Sequence, residues 1–523
     1  MATTTFENIP AEKFQFTRRN DLSHDSKFAT KPVSYFQGAF RRFSKNKGAV
    51  VGGIVIIILV LFAIIAPFCT PYTPAYKDPV FAAAYPKCPL FEGTNFWDGY
   101  REKETGYVGY IQDYAMGLET GNDIIKNGEY EVSEDGKIYK YRYDTYHGVG
   151  FGKYRTVSVE EYNAIQAYQI ETGRQVIYPN VAPWDRPTAR QDVENANFYY
   201  KTKTVGGKTQ AIVVDGNIIL NYWSYDVNYP SNLMAEYNST RIEGEDGFLD
   251  EYGNQCFYVY GRKVDGGIEI RTEYYEYYTF KHIQSGDGIG EPIFLFGATG
   301  EEGKDIFACL SHGARFSFLF ALVVAVVNLI VGAIYGSIAG YFGGKVDLFM
   351  ERFSEILGSV PTMIVITLLK YHMGSSSHTI ILFITFFLTG WIGMAGTTRM
   401  QFYRFKNQEY VLAARTLGAR DSRIMFKHIF PNGLGTLVTS CALVIPSMIY
   451  SETNLSYLGI INLESGNITS VGTLIAAGQK AILYAPFVAA FPCIFLVLLM
   501  LSFNLFGNGL RDAFNPSLRG SED

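Results

Sequence analysis

The chain has 523 residues and a formal net charge of −5, with 48% hydrophobic and 18% charged residues. A wholly membrane-embedded chain would carry fewer charges and a soluble one would lack long apolar runs, so the composition reads as a membrane part joined to a sizeable water-exposed part. The acidic balance excludes the basic footprint of a nucleic-acid partner. The six cysteines (Cys69, Cys88, Cys256, Cys309, Cys441 and Cys493) include no CxxC pair and no histidine at zinc spacing, so no metal is expected.

A polar N-terminal tail occupies 1–47. Phe36, Phe40 and Phe43 recur at helical spacing beside Arg41, Arg42, Lys45 and Lys47, which fits either a short helix on the inner leaflet or a tail with chance aromatics. Residues 48–68 carry no charge, and at 1.5 Å per residue they span roughly the 30 Å hydrocarbon core. The basic residues before them predict a cytoplasmic N-terminus. Phe68 is not the small residue that a processing site before Cys69 would prefer, so this first span reads as an uncleaved anchor.

Residues 69–295 contain no segment able to cross a bilayer and hold 29 of the 38 tyrosines. A hairpin is predicted over 130–143 around Glu134-Asp135-Gly136, two strands over 201–222 joined near Asp215-Gly216, and another pair around Asp265-Gly266. Residues 160–177 have the spacing of a short helix. Together these predict an inserted α+β domain large enough for its own core, on the extracytoplasmic side of the first span. There Cys88 and Cys256 would share an oxidising compartment, as a disulfide or as free thiols. The tyrosines either form a binding surface or fill a β-rich core. His147 and His282 are isolated in sequence, and no catalytic constellation can be assigned.

Five further spans are predicted at 316–340, 356–369, 379–395, 434–450 and 484–506, some short or interrupted by Gly and Pro. The connection between the fourth and fifth spans carries Arg399, Arg404, Lys406, Arg415, Arg420, Arg423 and Lys427, whereas the opposite loops offer only Lys370 and Lys480. Six helices with both ends and the basic loop in the cytoplasm satisfy this asymmetry. Pro361, Pro446 and Pro492 are expected to kink their helices, for a gate or in a static bundle. Glu351, Arg352 and Glu355 stand three and four residues apart at the start of the third span, lining a pathway or pairing within the helix. Glu452 falls just past the fifth span, at an outer mouth or a solvated loop end. Glu355, Pro361, Pro446 and Glu452 are the candidates for a pathway or gate.

The basic loop 407–432 predicts two short amphipathic helices meeting at Gly418. The first covers 409–417; Asp421 is placed to cap the second, which is expected to stop before Pro431. Small Ala413 and Ala414 would let a partner's groove approach closely. The segment from Gly297 to Asp305 mimics a phosphate loop, but five residues separate Gly297 from Gly303 where four are needed, and Asp305 stands where a magnesium-binding hydroxyl belongs. It reads as a turn before a helix.

Ala413-Ala414, then Gly418, then Pro431 resembles the coupling motif of ABC importer permeases, with Leu412 at the family's glutamate and Glu409 one turn earlier. Phe296-Gly297, the run from Gly303 to Phe307, His312-Gly313-Ala314-Arg315, the run from Ala339 to Asp347, Leu455-Ser456-Tyr457-Leu458-Gly459 and the tail from Gly507 to Pro516 resemble the C-type subunit of oligopeptide and dipeptide permeases. Asn508 and Asn515 replace the family's usual aspartates. The resemblance covers 36–70 and 294–519. It implies a membrane all-α type I ABC importer transmembrane domain of six helices, with the core at 296–510, the coupling loop at 407–432 and a cytoplasmic tail at 511–523. It further implies a second homologous permease, two ABC ATPase subunits, an extracytoplasmic substrate-binding protein and a peptide substrate. ATP and Mg would then be bound by the partner subunits, with no cofactor in this chain and no hydrolysis by it. Glu409, Ala413, Ala414, Arg415, Gly418, Asp421, Arg423 and Pro431 would carry the contact with the ATPase. The rivals are a membrane-anchored surface receptor or enzyme working through its outer domain, and a channel or secondary transporter with ionisable groups at mid-membrane.

Overall fold

The computed structural model describes residues 35–514, apart from 92, 148–152, 181–199, 201, 215–216, 221, 223, 227–247, 250–254, 375–377 and 464–467. Helix α1 (Tyr35–Lys45) is docked rather than loose. The Arg42 guanidinium donates to the Ala513 carbonyl at 2.8 and 3.1 Å, and Phe43 meets Phe506 edge-on at 5.3 Å. Helix α2 (Lys47–Ile65) follows, its first turn capped by the Asn46 side chain. The remainder of the tail, 1–34, lies outside the described residues.

The insert is built from two halves. In the first, strands Tyr100–Thr105, Tyr139–Asp144 and Ile125–Val132 form an antiparallel sheet with Tyr139–Asp144 central, covered by α3 (Tyr107–Thr120). In the second, Gly267–Thr272 pairs with Gly261–Val264, Lys153–Val157 and Ile177–Tyr178. Helices α4 (Val159–Thr172) and α5 (Tyr274–Ser285) pack against that sheet. Buried Arg271 donates to Glu119 of α3, with one bond of 3.0 Å, and so joins the halves.

Two of the three hairpins expected at Asp-Gly turns form where the sequence places them, at Gly136 and Gly266, each with positive φ. The expected pair over 201–222 is instead two hairpins. Thr202–Val205 returns as Lys208–Ala211 through Gly206-Gly207, two adjacent positive-φ glycines suited to a tight turn. Val213–Val214 then pairs with Asn217–Ile218, and the Asp215-Gly216 turn lies outside the described residues. The helix read over 160–177 stops at Thr172, because Gly173 in the left-handed region ends it and Ile177 joins the sheet. Tyr141, Tyr143, Tyr162, Tyr168, Tyr200, Tyr260, Tyr277 and Tyr278 are buried, so much of the tyrosine excess fills cores. His147 and His282 are not isolated: Asp144 and Asp287 stand 2.6 Å from their rings. The Cys88–Cys256 pairing lies outside the described side chains.

The turn before α6 (Ile306–Phe342) is a helix cap. The Asp305 carboxylate accepts the N–H groups of Phe307 and Ala308 at 3.1 Å, and burial pushes its carboxyl up to about 7. The membrane part continues with α7 (Gly344–Gly358), α8 (Thr362–Met373), α9 (His378–Thr389), α10 (Trp391–Phe405), α11 (Glu409–Thr416), α12 (Asp421–Arg423), α13 (Phe430–Tyr457), α14 (Val471–Ala481) and α15 (Phe487–Phe514). Among the described residues five spans are long and apolar enough to cross a membrane: Lys47–Phe68, Ile306–Phe342, His378–Phe405, Asp421–Tyr457 and Phe487–Phe514. Helices α7 and α8 make a sixth if this pair, bent by 66°, counts as one. The spans run longer than the apolar windows of the sequence because buried polar residues and prolines sit inside them. Helices α6 and α10 pack so closely that a Cβ on Gly336 would lie 2.2 Å from the Ala395 carbonyl.

Candidate functional site

The loop between α10 and α13 is assembled by local signals first. Glu409 sits in the first turn of α11 and Arg415 in the last, each complementing the helix dipole. Gly418 then takes φ +78°, and two hydrogen bonds close the helix end. The Gly418 N–H donates to the Arg415 carbonyl at 3.0 Å and the Ala419 N–H to the Ala414 carbonyl at 3.1 Å. This is a complete Schellman turn, which needs a residue at ease in the left-handed region. A Cβ at Gly418 would meet nothing within 4 Å, so the turn requires the glycine for its φ and not for space within the chain.

Two expectations for the second helix are corrected. Asp421 is its first residue and Arg420 its N-cap; the Asp421 carboxylate instead accepts the Tyr341 hydroxyl at 2.5 Å, from the end of α6. Pro431 does not stop the helix. Residues Ile424–Ile429 form a π-helical stretch and the Phe430 N–H reaches back five residues to Met425, so Pro431 enters as one of the first two residues of α13. A proline needs no N–H partner there, and the chain runs on from Asp421 to Tyr457. The second half of the loop is therefore the foot of a membrane helix.

The underside of this unit is apolar and closed. Val411, Ile424, Met425 and Ile429 are buried against Tyr341 and Phe402. Further ties are the Asn432 amide donating to the Tyr410 hydroxyl at 3.2 Å and Lys406 donating to the Gly340 carbonyl at 3.0 Å. Burial pushes the Tyr410 phenol up from its ordinary value, against the Asn432 hydrogen bond. The outer face is open: Leu412 is 45% exposed, Leu417 87% and Phe426 52%, with Glu409, Ala413, Arg415, Arg420, Asp421 and Arg423 exposed around them. Ala414 is half-buried. The Arg415 guanidinium lies 5.8 Å from the Tyr341 ring centre, so this arginine braces the loop as well as facing outward. This face thus exposes three large apolar side chains, three arginines and two carboxylates together.

The pathway candidates are not brought together. Glu355 is exposed and pairs with Arg352 at 2.5 Å, as intrahelical spacing predicts. Glu351 pairs elsewhere. Arg399 of α10 grips Asp347 at 2.6 and 2.7 Å and Glu351 at 2.8 and 3.0 Å, while the Tyr403 hydroxyl donates to Asp347. Pro361 stands at the break between α7 and α8, and Pro446 lies inside α13. Glu452 is not at a solvated loop end. It lies within α13, is fully buried, and accepts the hydroxyls of Ser317 at 2.9 Å and Ser456 at 3.0 Å.

Residues 332–520 match the model of the binding-protein-dependent transport system inner membrane component, and residues 34–86 match that of the N-terminal TM domain of oligopeptide transport permease C. The oligopeptide transport system permease protein OppC of Bacillus subtilis is 42% identical over 221 residues, which are 42% of this chain and 71% of that protein. The chain belongs to this family. The dipeptide transport system permease protein DppC of B. subtilis is 39% identical, over 42% of this chain and 68% of that protein. OppC of Escherichia coli is also 39% identical, over 42% and 72%. Loop 407–432 of this inner membrane component lies inside the matched region.

The residues that the sequence singles out in this loop do not include Val411 and Leu417, although both fall within the predicted helix 409–417, nor does the sequence join Tyr341 to the loop or Arg399 to Asp347 and Glu351. Leu417 was visible as an apolar residue just before the turn glycine. Tyr341 lies 80 residues from Asp421 and gives no local signal.

Proposed function

We propose that this chain is a permease subunit of an ABC importer for peptides, forming half of a pathway with a homologous second permease. Two ABC ATPases dock on loop 407–432, and an extracytoplasmic binding protein delivers substrate. Both termini and the loop face the cytoplasm, the chain crosses the membrane six times, and the 69–295 insert stands outside. The observation that carries the reading is the loop itself. Its buried face is pinned to α6 and α10, its outer face shows Leu412 and Leu417 among arginines, and it continues into α13. A push on the outer face is passed to three membrane helices through side-chain packing, which is what a two-state access switch requires. The names of the relatives support peptide cargo. Between the outward- and inward-open states the chain contributes no bond chemistry; hydrolysis takes place on the partner subunits.

The test is to purify the assembly, identify the co-purifying subunits and bound ligand by mass spectrometry, and measure uptake beside ATP hydrolysis in reconstituted vesicles. Peptide uptake driven by hydrolysis on co-purifying ATPases is expected. A chain that purifies alone, with catalytic or receptor activity retained by the insert, would replace this reading with the surface-protein one.

A further inference from the structure

The described residues between Cys88 and Trp97 are tied down by hydrogen bonds yet leave Leu90 and Phe96 uncovered. The Cys88 N–H donates to the Trp97 carbonyl at 2.9 Å, and the Thr94 hydroxyl lies 2.7 and 2.9 Å from the carbonyls of Phe91 and Phe96. From the other side, Lys126 and Arg142 donate to the Asn95 amide oxygen at 2.9 and 2.7 Å and tie the loop to the sheet. The rings of Phe91, Phe96 and Trp97 collect within 5.3–5.8 Å of one another. Phe96 nevertheless remains 61% exposed and Leu90 89%. The Trp97 backbone is in the left-handed region, at φ +55°, a strained choice for so bulky a residue. That turn lays the indole 5.8 Å from the Phe296 ring and 6.0 Å from the Phe491 ring of α15.

The height of Phe491 in the bilayer follows from how α2 and α15 pass each other. A Cβ on Gly509 would touch Ala49, one on Gly52 would lie 3.0 Å from Leu505, and Phe62 stands 6.1 Å from Phe495. Each step along α2 is matched by a step back along α15, so Phe491 is level with Ala66, at the end of the apolar run. At 1.5 Å per residue, Ala49 to Ala66 is about 26 Å, close to the thickness of the hydrocarbon core. The loop therefore stands at the boundary between acyl chains and headgroups, where aromatic and apolar side chains on a rigid mount partition favourably.

We propose that this loop seats the insert on the bilayer. Leu90, Phe91 and Phe96 enter the headgroup–acyl boundary beside α2 and α15, and Trp97 sets their depth by bracing on Phe296 and Phe491. The occupant of the exposed patch is lipid because Trp97, which stacks on Phe96, rests on Phe491 of α15, one turn before Ile494 on a helix whose Ile494, Val497 and Leu501 are all more than half exposed. The consequence is mechanical: the insert is tethered to the α2–α15 pair and moves with it.

The proposal is tested on the full chain in lipid nanodiscs, with native cysteines replaced and a nitroxide attached at Leu90→Cys or Phe96→Cys. Leu90 is largely uncovered, so its label removes little packing, and the label at 96, which replaces a ring stacked on Trp97, is read beside it. A third label at Ile138→Cys, exposed beside the Glu134–Gly136 turn, serves as the water-facing control. Oxygen collisions exceeding those of a water-soluble nickel chelate at 90 and 96, with the opposite order at 138, are expected. Chelate excess at 90 and 96 overturns the proposal. Chelate access that is lost only when a binding protein is added would assign the patch to a protein partner instead.

Discussion

Replacing Gly418 with valine isolates the loop's role from membrane insertion. The Schellman turn holds Gly418 at φ +78°, where a side chain costs about 1–2 kcal/mol, and a β-branched one lies at or above the upper end. If the residue leaves that region, the bonds from Gly418 to Arg415 and from Ala419 to Ala414 open together, and α12 loses its angle to α11. A cost of about 2 kcal/mol lowers the population of the docked geometry about 30-fold, since each 1.4 kcal/mol is tenfold. Because a Cβ at Gly418 meets nothing within 4 Å, the loss comes from φ alone. Asparagine, which tolerates the left-handed region, should therefore retain most activity, alanine less and valine least. The assay is substrate-stimulated ATP hydrolysis beside uptake in reconstituted vesicles, with membrane abundance as the control. Full coupled transport by Gly418→Val would refute the reasoning. Equal failure of asparagine and valine would instead mean that an ATPase surface packs against the glycine itself.

Arg399→Met strands Asp347, whose side chain is only 10% exposed, and should destabilise the chain by about 2 kcal/mol or more, read as a lower Tm in detergent. Adding Asp347→Asn and Glu351→Gln should recover most of it; an unchanged Tm in the single variant would mean that the cluster is dispensable. Burial pushes the Glu273 carboxyl from 4.5 up to about 7, so between these values the folded state binds more protons than the unfolded one. Its stabilising protonation is complete below the lower value and is lost as pH rises through 7, a difference of about 3 kcal/mol. Glu273→Gln, which keeps an acceptor for the Glu276 N–H, should reduce the fall in insert stability between pH 5 and 8; the part due to Asp305 has the same sign and remains. An unaltered pH slope in that variant would assign the dependence to other groups. Single cysteines placed within 75–290 of a chain lacking native thiols should react with an impermeant reagent on intact cells, and those within 400–430 should not; labelling of the latter would reverse the proposed topology.

Much of the local structure was legible because it depends on neighbours in sequence. The apolar run 48–68 forms α2 and the short turn after it, the Asp-Gly turns at Gly136 and Gly266 form hairpins, and Gly418 takes the positive φ. The helix cap at Asp305 was likewise readable as a turn before a helix. What tertiary structure decided are the pairings across long stretches of chain. Asp421 meets Tyr341, 80 residues away, instead of capping its own helix, and Glu351 joins Arg399, 48 residues on. Glu452 is enclosed by serines, one of them 135 residues distant, and so becomes a buried group instead of a loop end. Pro431 reads locally as a helix stop, yet a π-helical stretch before it lets α13 continue, because packing of Ile424, Met425 and Ile429 on Tyr341 and Phe402 holds that stretch in place. Backbone dihedral preferences and apolar periodicity act over a few residues and are written along the chain. The partner of a buried charge is set by which helices pack together, and that is settled only when the whole bundle closes.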